Sequence, residues 1–161
     1  MSSANSHDIH VLNALTGATL DSADGWREAA RETADPGHRD LFERRGAERA
    51  ALADAFQASV RQMGGEPDTD GSILAKASRV FHDLKHAVLP DELGVVGPVE
   101  ANEDGLRNRF EAALADSHIS ATTRETILRA YASVQESHAE IRALKHSLQG
   151  QHDASNRLFP Q

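Results

Sequence analysis

The chain has 161 residues, of which 39% are hydrophobic and 4% aromatic, and its 25 acidic and 17 basic residues give a net charge of -8. This length fits one domain with its own core. The few aromatic and β-branched residues leave few candidate strands. The acidic excess argues against binding to the phosphate backbone of nucleic acids, and the lack of cysteine excludes disulfides and thiolate metal sites. No stretch approaches the roughly 20 apolar residues of a membrane helix.

The N-terminal segment MSSANSHDIHVLNALTGATL has no basic region and no continuous apolar run. It therefore reads as mature sequence and not as a signal peptide. Together with the composition, this makes a cytoplasmic helical protein the expectation.

Two long helices are predicted in the first part of the chain. Residues from about Ser6 to Thr33 place apolar and small side chains at alternating spacings of three and four, which is the pattern of one helix face. The segment TADPG then breaks the pattern, and Asp35 as N-cap before Pro36 predicts the start of a second helix. Glycines followed by proline in MGGEP predict that this helix ends near Met63.

Two further helices are predicted in the middle of the chain. The shorter one covers about 72–88, with Phe81 and Leu84 on its apolar face, and lies between segments rich in Gly and Pro. We expect it to pack on the outside of the domain. The other covers about 98–116, with Leu106 and Phe110 on its apolar face.

The last predicted helix begins near Thr122, because Thr122 and Glu125 have the spacing of a capping box. It is predicted to end at Gly150. Residues 151–161 show no helical periodicity and are predicted to form a flexible tail outside a domain of residues 1–150.

The sequence also resembles itself. DGWREAARETAD at 24–35 resembles DGLRNRFEAALAD at 104–116, and each is followed by a short turn and a long helix. Two related antiparallel hairpins joined by a long crossover are typical of ferritin-like bundles. We therefore predict an all-α, ferritin-like four-helix bundle whose crossover carries a short fifth helix.

Known families show similar motifs. DIHVLNALTGATLDSADGWREAA resembles the first helix of bacterioferritins, and VRQMGGEPD resembles the end of their second helix. From about residue 9 to 148 the chain is more similar to an uncharacterised, mainly proteobacterial family of ferritin-like four-helix-bundle proteins. The similar motifs are Leu12-Asn13, Gly25-Trp26, Met63-Gly64-Gly65-Glu66-Pro67, Phe81-His82-Asp83-Leu84-Lys85, Glu103-Asp104 and His138-Ala139-Glu140-Ile141-Arg142-Ala143-Leu144. This resemblance implies the fold but little about function, because that family has no assigned activity.

Di-iron bundles of the ferritin class take one Glu from each of two helices and a Glu-x-x-His pair from each of the other two. The family motifs put these ligand positions at Thr19 or Ala23, Arg49 and Leu52, Glu103, and Gln135 and His138. Of these, Glu103 and His138 match, and a shift of one residue in the second helix would add Glu48. We therefore predict a degenerate di-iron site, with Glu103, His138 and Glu48 as its remaining metal-ligating candidates.

Several interpretations of these residues stay open. Arg49, Glu103 and His138 could bind one another in a polar layer where di-iron proteins hold their metals, or helix register could put them at the edge of the bundle. A third interpretation has Glu103 and His138 holding a single zinc or iron ion with water.

Two functional hypotheses follow. The first is a non-enzymatic bundle without a cofactor that acts through its surface as an interaction or stress-related protein. The alternative is a metal-binding ferritin-like protein, for iron oxidation or metal carriage, that uses Glu103 and His138. Bundles of this class often self-associate, so a homodimer is a further expectation, by analogy alone.

Overall fold

The computed structural model describes residues 3–71 and 91–159, and all regular secondary structure in these ranges is helical. The four helices are α1 (Ser3–Glu32), α2 (Pro36–Gln62), α3 (Glu92–Ala115) and α4 (Ala121–Leu158). The prediction of an all-α four-helix fold is confirmed. The short helix predicted at 72–88 lies outside the described residues.

Local capping chemistry sets both ends of α2, as predicted. The side chain of Asp35 accepts a hydrogen bond of 3.0 Å from the backbone N–H of His38, and Pro36 occupies the first helical position. The helix ends before Gly64, whose φ of +81° lies in the left-handed region that glycine adopts without steric cost.

The start of α3 corrects the prediction that this helix begins at Pro98. Asp91 is the N-cap and accepts a hydrogen bond of 2.7 Å from the N–H of Gly94, so Pro98 lies inside the helix. A proline there removes one backbone donor. Val95 and Val96 of this first part are only 2% and 0% exposed, and their burial offsets that loss.

Both ends of α4 also differ from the sequence prediction. Ser120 is the N-cap, with its side chain accepting a hydrogen bond of 3.2 Å from the N–H of Thr123, so the capping box proposed at Thr122 is not formed. At the other end the helix continues through Gly150 to Leu158. The division into a domain of residues 1–150 and a flexible tail stays a prediction.

Contacts between helix ends define the topology. The side chain of Asp8, near the start of α1, bonds to Ser120 just beyond α3, and Thr33, just beyond α1, bonds to Glu92 at the start of α3. Helices α1 and α3 are therefore antiparallel. The amide of Asn13 bonds to the carbonyl oxygen of Glu66 at 2.9 Å, so the chain leaves α2 beside the start of α1. The connection from 71 to 91 thus joins opposite ends of the bundle, as a long crossover does.

The core of the bundle has two apolar clusters, one towards each end. The first contains Leu12, Leu15, Phe56, Val60, Leu106, Phe110, Ala113, Ile119, Ile127, Ala130 and Val134. The second contains Trp26, Ala29, Ala30, Phe42, Val95, Val96, Val99 and Ile141. On each helix the two sets are separated by about two to four turns, and this gap holds the candidate site.

Candidate functional site

A layer of buried polar side chains separates the two apolar clusters. It is called the central polar layer below, and every helix contributes to it. Its members are Ser22 and Trp26 from α1, Arg49 from α2, Glu103 from α3 and Ser137 from α4. None of these side chains is more than 5% exposed, so each polar group needs a partner inside the protein.

Glu103 is the acceptor at the centre of the layer and is 1% exposed. Its Oε1 accepts hydrogen bonds from Ser22 Oγ at 2.7 Å and from Trp26 Nε1 at 2.9 Å. Its Oε2 accepts from Arg49 Nη2 at 2.7 Å and from Ser137 Oγ at 2.8 Å. Both carboxylate oxygens therefore have two donors each, contributed by the three other helices.

Arg49 supplies the positive charge of the layer and is 0% exposed. Besides Glu103, its Nη2 donates to Ser137 Oγ, and its Nη1 lies 3.4 Å from Ser133 Oγ. Its Nε has no hydrogen-bond partner within the described part of the chain. One cation and one anion make the layer neutral, which favours two charges kept away from water.

His138 lies beside the layer but bonds elsewhere. Its Nδ1 is 3.4 Å from Arg107 Nη1, and its Nε2 bonds to the carboxylate of Asp104. A guanidinium group can only donate, so Nδ1 accepts and the Nε2–H donates to Asp104. The polar layer expected from the sequence thus contains the Arg49–Glu103 pair but not His138.

Glu48 is engaged in a second ionic group between α2 and α4. It accepts a hydrogen bond of 2.7 Å from Arg45 Nη1, while Arg45 Nη2 lies 3.1 Å from Glu140 and 3.4 Å from Glu136. Burial lowers the pKa of Arg45, but its hydrogen bonds to Glu140 and Glu48 outweigh burial and hold that pKa above its ordinary value. Glu48, Glu103 and His138 therefore have three separate sets of partners, and their assignment as metal ligands stays a prediction.

The ligand positions inferred from the family motifs are out of register on two helices. On α4 the side chain of Gln135 is exposed, whereas Ser137 faces Glu103. On α1 it is Ser22 that reaches Glu103, whereas Thr19 is buried and its hydroxyl has no partner among the described residues. Serine carries no strong sequence signal, because it occurs on buried and exposed helix faces alike.

This donor set does not fit a pair of metal ions. Among the described residues, Glu103 is the one carboxylate that bonds to other members of the layer, and a guanidinium group lies at hydrogen-bonding distance from it. Two divalent cations need several negative ligands to balance them. Among residues 3–71 and 91–159, no group of three or more His, Asp or Glu side chains could hold a metal ion.

The ends of the bundle are held by carboxylates that cross between the hairpins. Asp8 on α1 accepts hydrogen bonds from the N–H of Ser120 at 3.1 Å and from Thr123 Oγ1 at 2.8 Å, at the N-cap and in the first turn of α4 in the second hairpin. Glu92 on α3 accepts from Thr33 Oγ1 at 2.9 Å, just beyond α1, and from His38 Nδ1 at 2.8 Å, in the first turn of α2 in the first hairpin. This reciprocal arrangement agrees with the internal similarity of the two hairpins.

In the described ranges, no helix is both long and apolar enough to cross a bilayer.

Comparison with solved structures identifies the fold. The chain is similar to a mutant of Dps1 from Mycobacterium smegmatis, with a TM-score of 0.72 and 10% sequence identity over 90% of this chain and 99% of that chain. At this identity the likeness extends to the fold alone, and it confirms the predicted ferritin-like bundle. No curated protein matches the chain.

Comparison with family models covers most of the bundle. The model of one domain of unknown function matches residues 7–116, which include most of α1, all of α2 and α3, and therefore Arg49 and Glu103 of the central polar layer. The chain belongs to this family, DUF2383.

Proposed function

We propose that the protein is a non-enzymatic ferritin-like bundle, without a resident metal, that acts through its surface as a cytoplasmic interaction or stress-related protein. The observation that supports this proposal is the contact of 2.7 Å between Arg49 Nη2 and Glu103 Oε2 in the central polar layer. The layer then has a structural role, because an ion pair fills the centre of the bundle, where the family motifs predict metal ligands.

Electrostatics supports the structural role. Arginine keeps its proton under all ordinary conditions, so Arg49 remains a cation in the layer. A metal ion bound to Glu103 would lie close to this fixed positive charge, in a core where water does not screen the repulsion. Metal binding would therefore require Arg49 to leave the layer and give up its bonds to Glu103 and Ser137.

Iron loading in solution tests the proposal. Purified protein is mixed with iron(II) in air, oxidation is followed by absorbance, and the desalted protein is analysed for iron. We expect oxidation no faster than in buffer alone and no stoichiometric iron in the protein. A Glu103→Gln variant is the matched control, since it keeps the shape of the side chain and removes its charge.

Two irons per chain, with oxidation that depends on Glu103, would contradict the proposal. Stoichiometric metal that is lost when Glu103, His138 or Glu48 is replaced would favour the metal-binding alternative instead.

The surface role includes self-association, and we propose a homodimer. The support comes from α4: among the described residues, the three exposed large hydrophobic side chains are Leu128, Leu158 and Phe159, all on this helix or at its end. Two of them lie at the C-terminal end, at 74% and 75% exposure. Exposed apolar side chains grouped at one point are typical of contact sites.

A further inference from the structure

Helices α2 and α4 lie side by side without close packing of their backbones. They are antiparallel, because Arg45 bonds to Glu140 whereas Arg49, one turn later on α2, lies 3.4 Å from Ser133, two turns earlier on α4. The Cα atoms of α2 often come within 8 Å of α1 but seldom within 8 Å of α4. Long side chains therefore fill the space between α2 and α4, which is called the α2–α4 seam below.

The middle of the seam is polar and its two ends are apolar. On the side of α2 that faces the seam, a stripe with alternating spacings of four and three contains Leu41, Arg45, Glu48 and Leu52. Leu41 and Leu52 pack against the two apolar clusters of the core. Arg45 and Glu48 lie between them, so ionic groups close the middle of the seam.

Arg45 is the side chain that joins the two helices at this point. Its Nη1 donates to Glu48 at 2.7 Å on its own helix, and its Nη2 lies 3.1 Å from Glu140 and 3.4 Å from Glu136 on α4. Arg45 is only 3% exposed, whereas the side chain of Glu136 is 74% exposed. The guanidinium group is therefore held inside the seam by carboxylates that reach the solvent. One turn along α2, Arg49 belongs to the central polar layer.

Buried polar atoms without a hydrogen bond are concentrated in this seam. Among the described residues there are five such side-chain atoms, and three of them are Arg45 Nε, Arg49 Nε and Glu140 Oε1. All three belong to side chains that cross between α2 and α4. A buried donor or acceptor without a partner is costly, so each of these atoms favours an opening that lets water bond to it.

We propose that the α2–α4 seam is the route by which water reaches the central polar layer, and that Arg45 is the latch that holds the seam closed. Opening a seam between apolar side chains exposes them to water, which is unfavourable. Opening the polar middle of the α2–α4 seam exposes groups that bond well to water. Separating the helices there therefore costs little beyond the loss of the Arg45 contacts. This route does not depend on the surface role proposed above.

Hydrogen exchange of Trp26 tests the proposal in the full chain. Trp26 is the one tryptophan in the sequence, and its indole N–H donates to Glu103 inside the layer. Exchange in deuterated water is followed by NMR, and the indole rate is divided by the rate of the slowest backbone amides. These amides report global unfolding, so a general loss of stability cancels from this quotient. Arg45→Ala should raise the quotient at least about tenfold, because hydrogen bonds between charged groups no longer oppose opening.

The controls separate the latch from other ion pairs. Lys145→Ala removes an ion pair of 2.5 Å to Glu100, between α3 and α4, and should leave the quotient at the wild-type value. Glu140→Gln keeps Arg45 but weakens the latch, so it should raise the quotient by less than Arg45→Ala does. It is also the test if circular dichroism shows that Arg45→Ala does not fold. A smaller rise in folded Arg45→Ala, an equal rise in Lys145→Ala, or a wild-type quotient in Glu140→Gln would overturn the proposal.

Discussion

Removing either member of the buried Arg49–Glu103 pair should destabilise the protein, and Glu103→Ala should cost more than Arg49→Ala. Breaking a buried pair from one side costs about 3–5 kcal/mol. Without Arg49, the carboxylate of Glu103 keeps the hydrogen bonds from Ser22 at 2.7 Å, Trp26 at 2.9 Å and Ser137 at 2.8 Å. We expect Arg49→Ala to lie near the lower end of that range, at about 3 kcal/mol.

Without Glu103, Arg49 has fewer ways to be satisfied. It would keep Ser137 and a long contact of 3.4 Å to Ser133, and it cannot lose its charge. We therefore expect Glu103→Ala to cost about 4–5 kcal/mol. Replacing both by apolar residues of similar size, Arg49→Met with Glu103→Leu, leaves no buried charge and should cost much less than the sum of the two single changes.

Urea unfolding followed by circular dichroism measures these free energies. Helical signal is preferred to the fluorescence of Trp26, whose indole bonds to Glu103 and responds to the substitution itself. Arg129→Ala is the control, because that arginine side chain is 78% exposed and its loss should stay within about 0.5 kcal/mol. If Arg49→Ala also stays within about 0.5 kcal/mol, the buried pair does not contribute as argued.

Two further predictions concern packing and pH. An alanine Cβ at Gly65 would lie 2.8 Å from Ile9 Cδ1, so Gly65→Ala should lower the free energy of unfolding by about 1–3 kcal/mol. At Gly105 an added Cβ would meet no heavy atom within 4 Å, so Gly105→Ala should stabilise α3 by about 0.5–1 kcal/mol. Equal effects of the two substitutions in urea unfolding would contradict this packing. Burial raises the pKa of Glu92, but hydrogen bonds from His38, Thr33 and Ala34 outweigh burial and hold that pKa below its usual value. Its contribution to stability is therefore present above about pH 4.5 and is lost as pH falls through the lowered pKa. Unfolding of Glu92→Gln should thus depend less on pH below about 4.5 than unfolding of the wild type, and an unchanged slope would be inconsistent with this role.

Local chemistry made much of the fold predictable. Asp35 before Pro36 identified the start of α2, because an N-cap acts on backbone groups of its own first turn. Pro98 was wrongly predicted as the start of α3. The first turns of this helix are stabilised by the burial of Val95 and Val96 against other helices, and such tertiary contacts cannot be read from the local sequence. Gly150 likewise suggested a helix end that α4 does not have.

The central polar layer was predictable only in part. Arg49 and Glu103 lie on apolar stripes of their helices, and buried opposite charges must find each other. The two hydrogen-bond donors that α1 supplies to Glu103 were not predicted. In the sequence, Trp26 looks like an apolar core residue and Ser22 gives no sign of burial, and only helix packing brings their polar atoms to Glu103. His138 shares the stripe of Ile141, yet its ring bonds to Asp104, and it is Ser137, the residue before it, that bonds to Glu103.

The central claim is that Arg49 provides the positive charge beside Glu103 in place of a metal. Anomalous X-ray diffraction at the iron edge, from crystals soaked in iron(II), tests it most directly. We predict no anomalous peak at Glu103 and a guanidinium group of Arg49 within hydrogen-bonding distance of its carboxylate. An anomalous peak bound to Glu103, with Arg49 turned out of the layer, would contradict the claim.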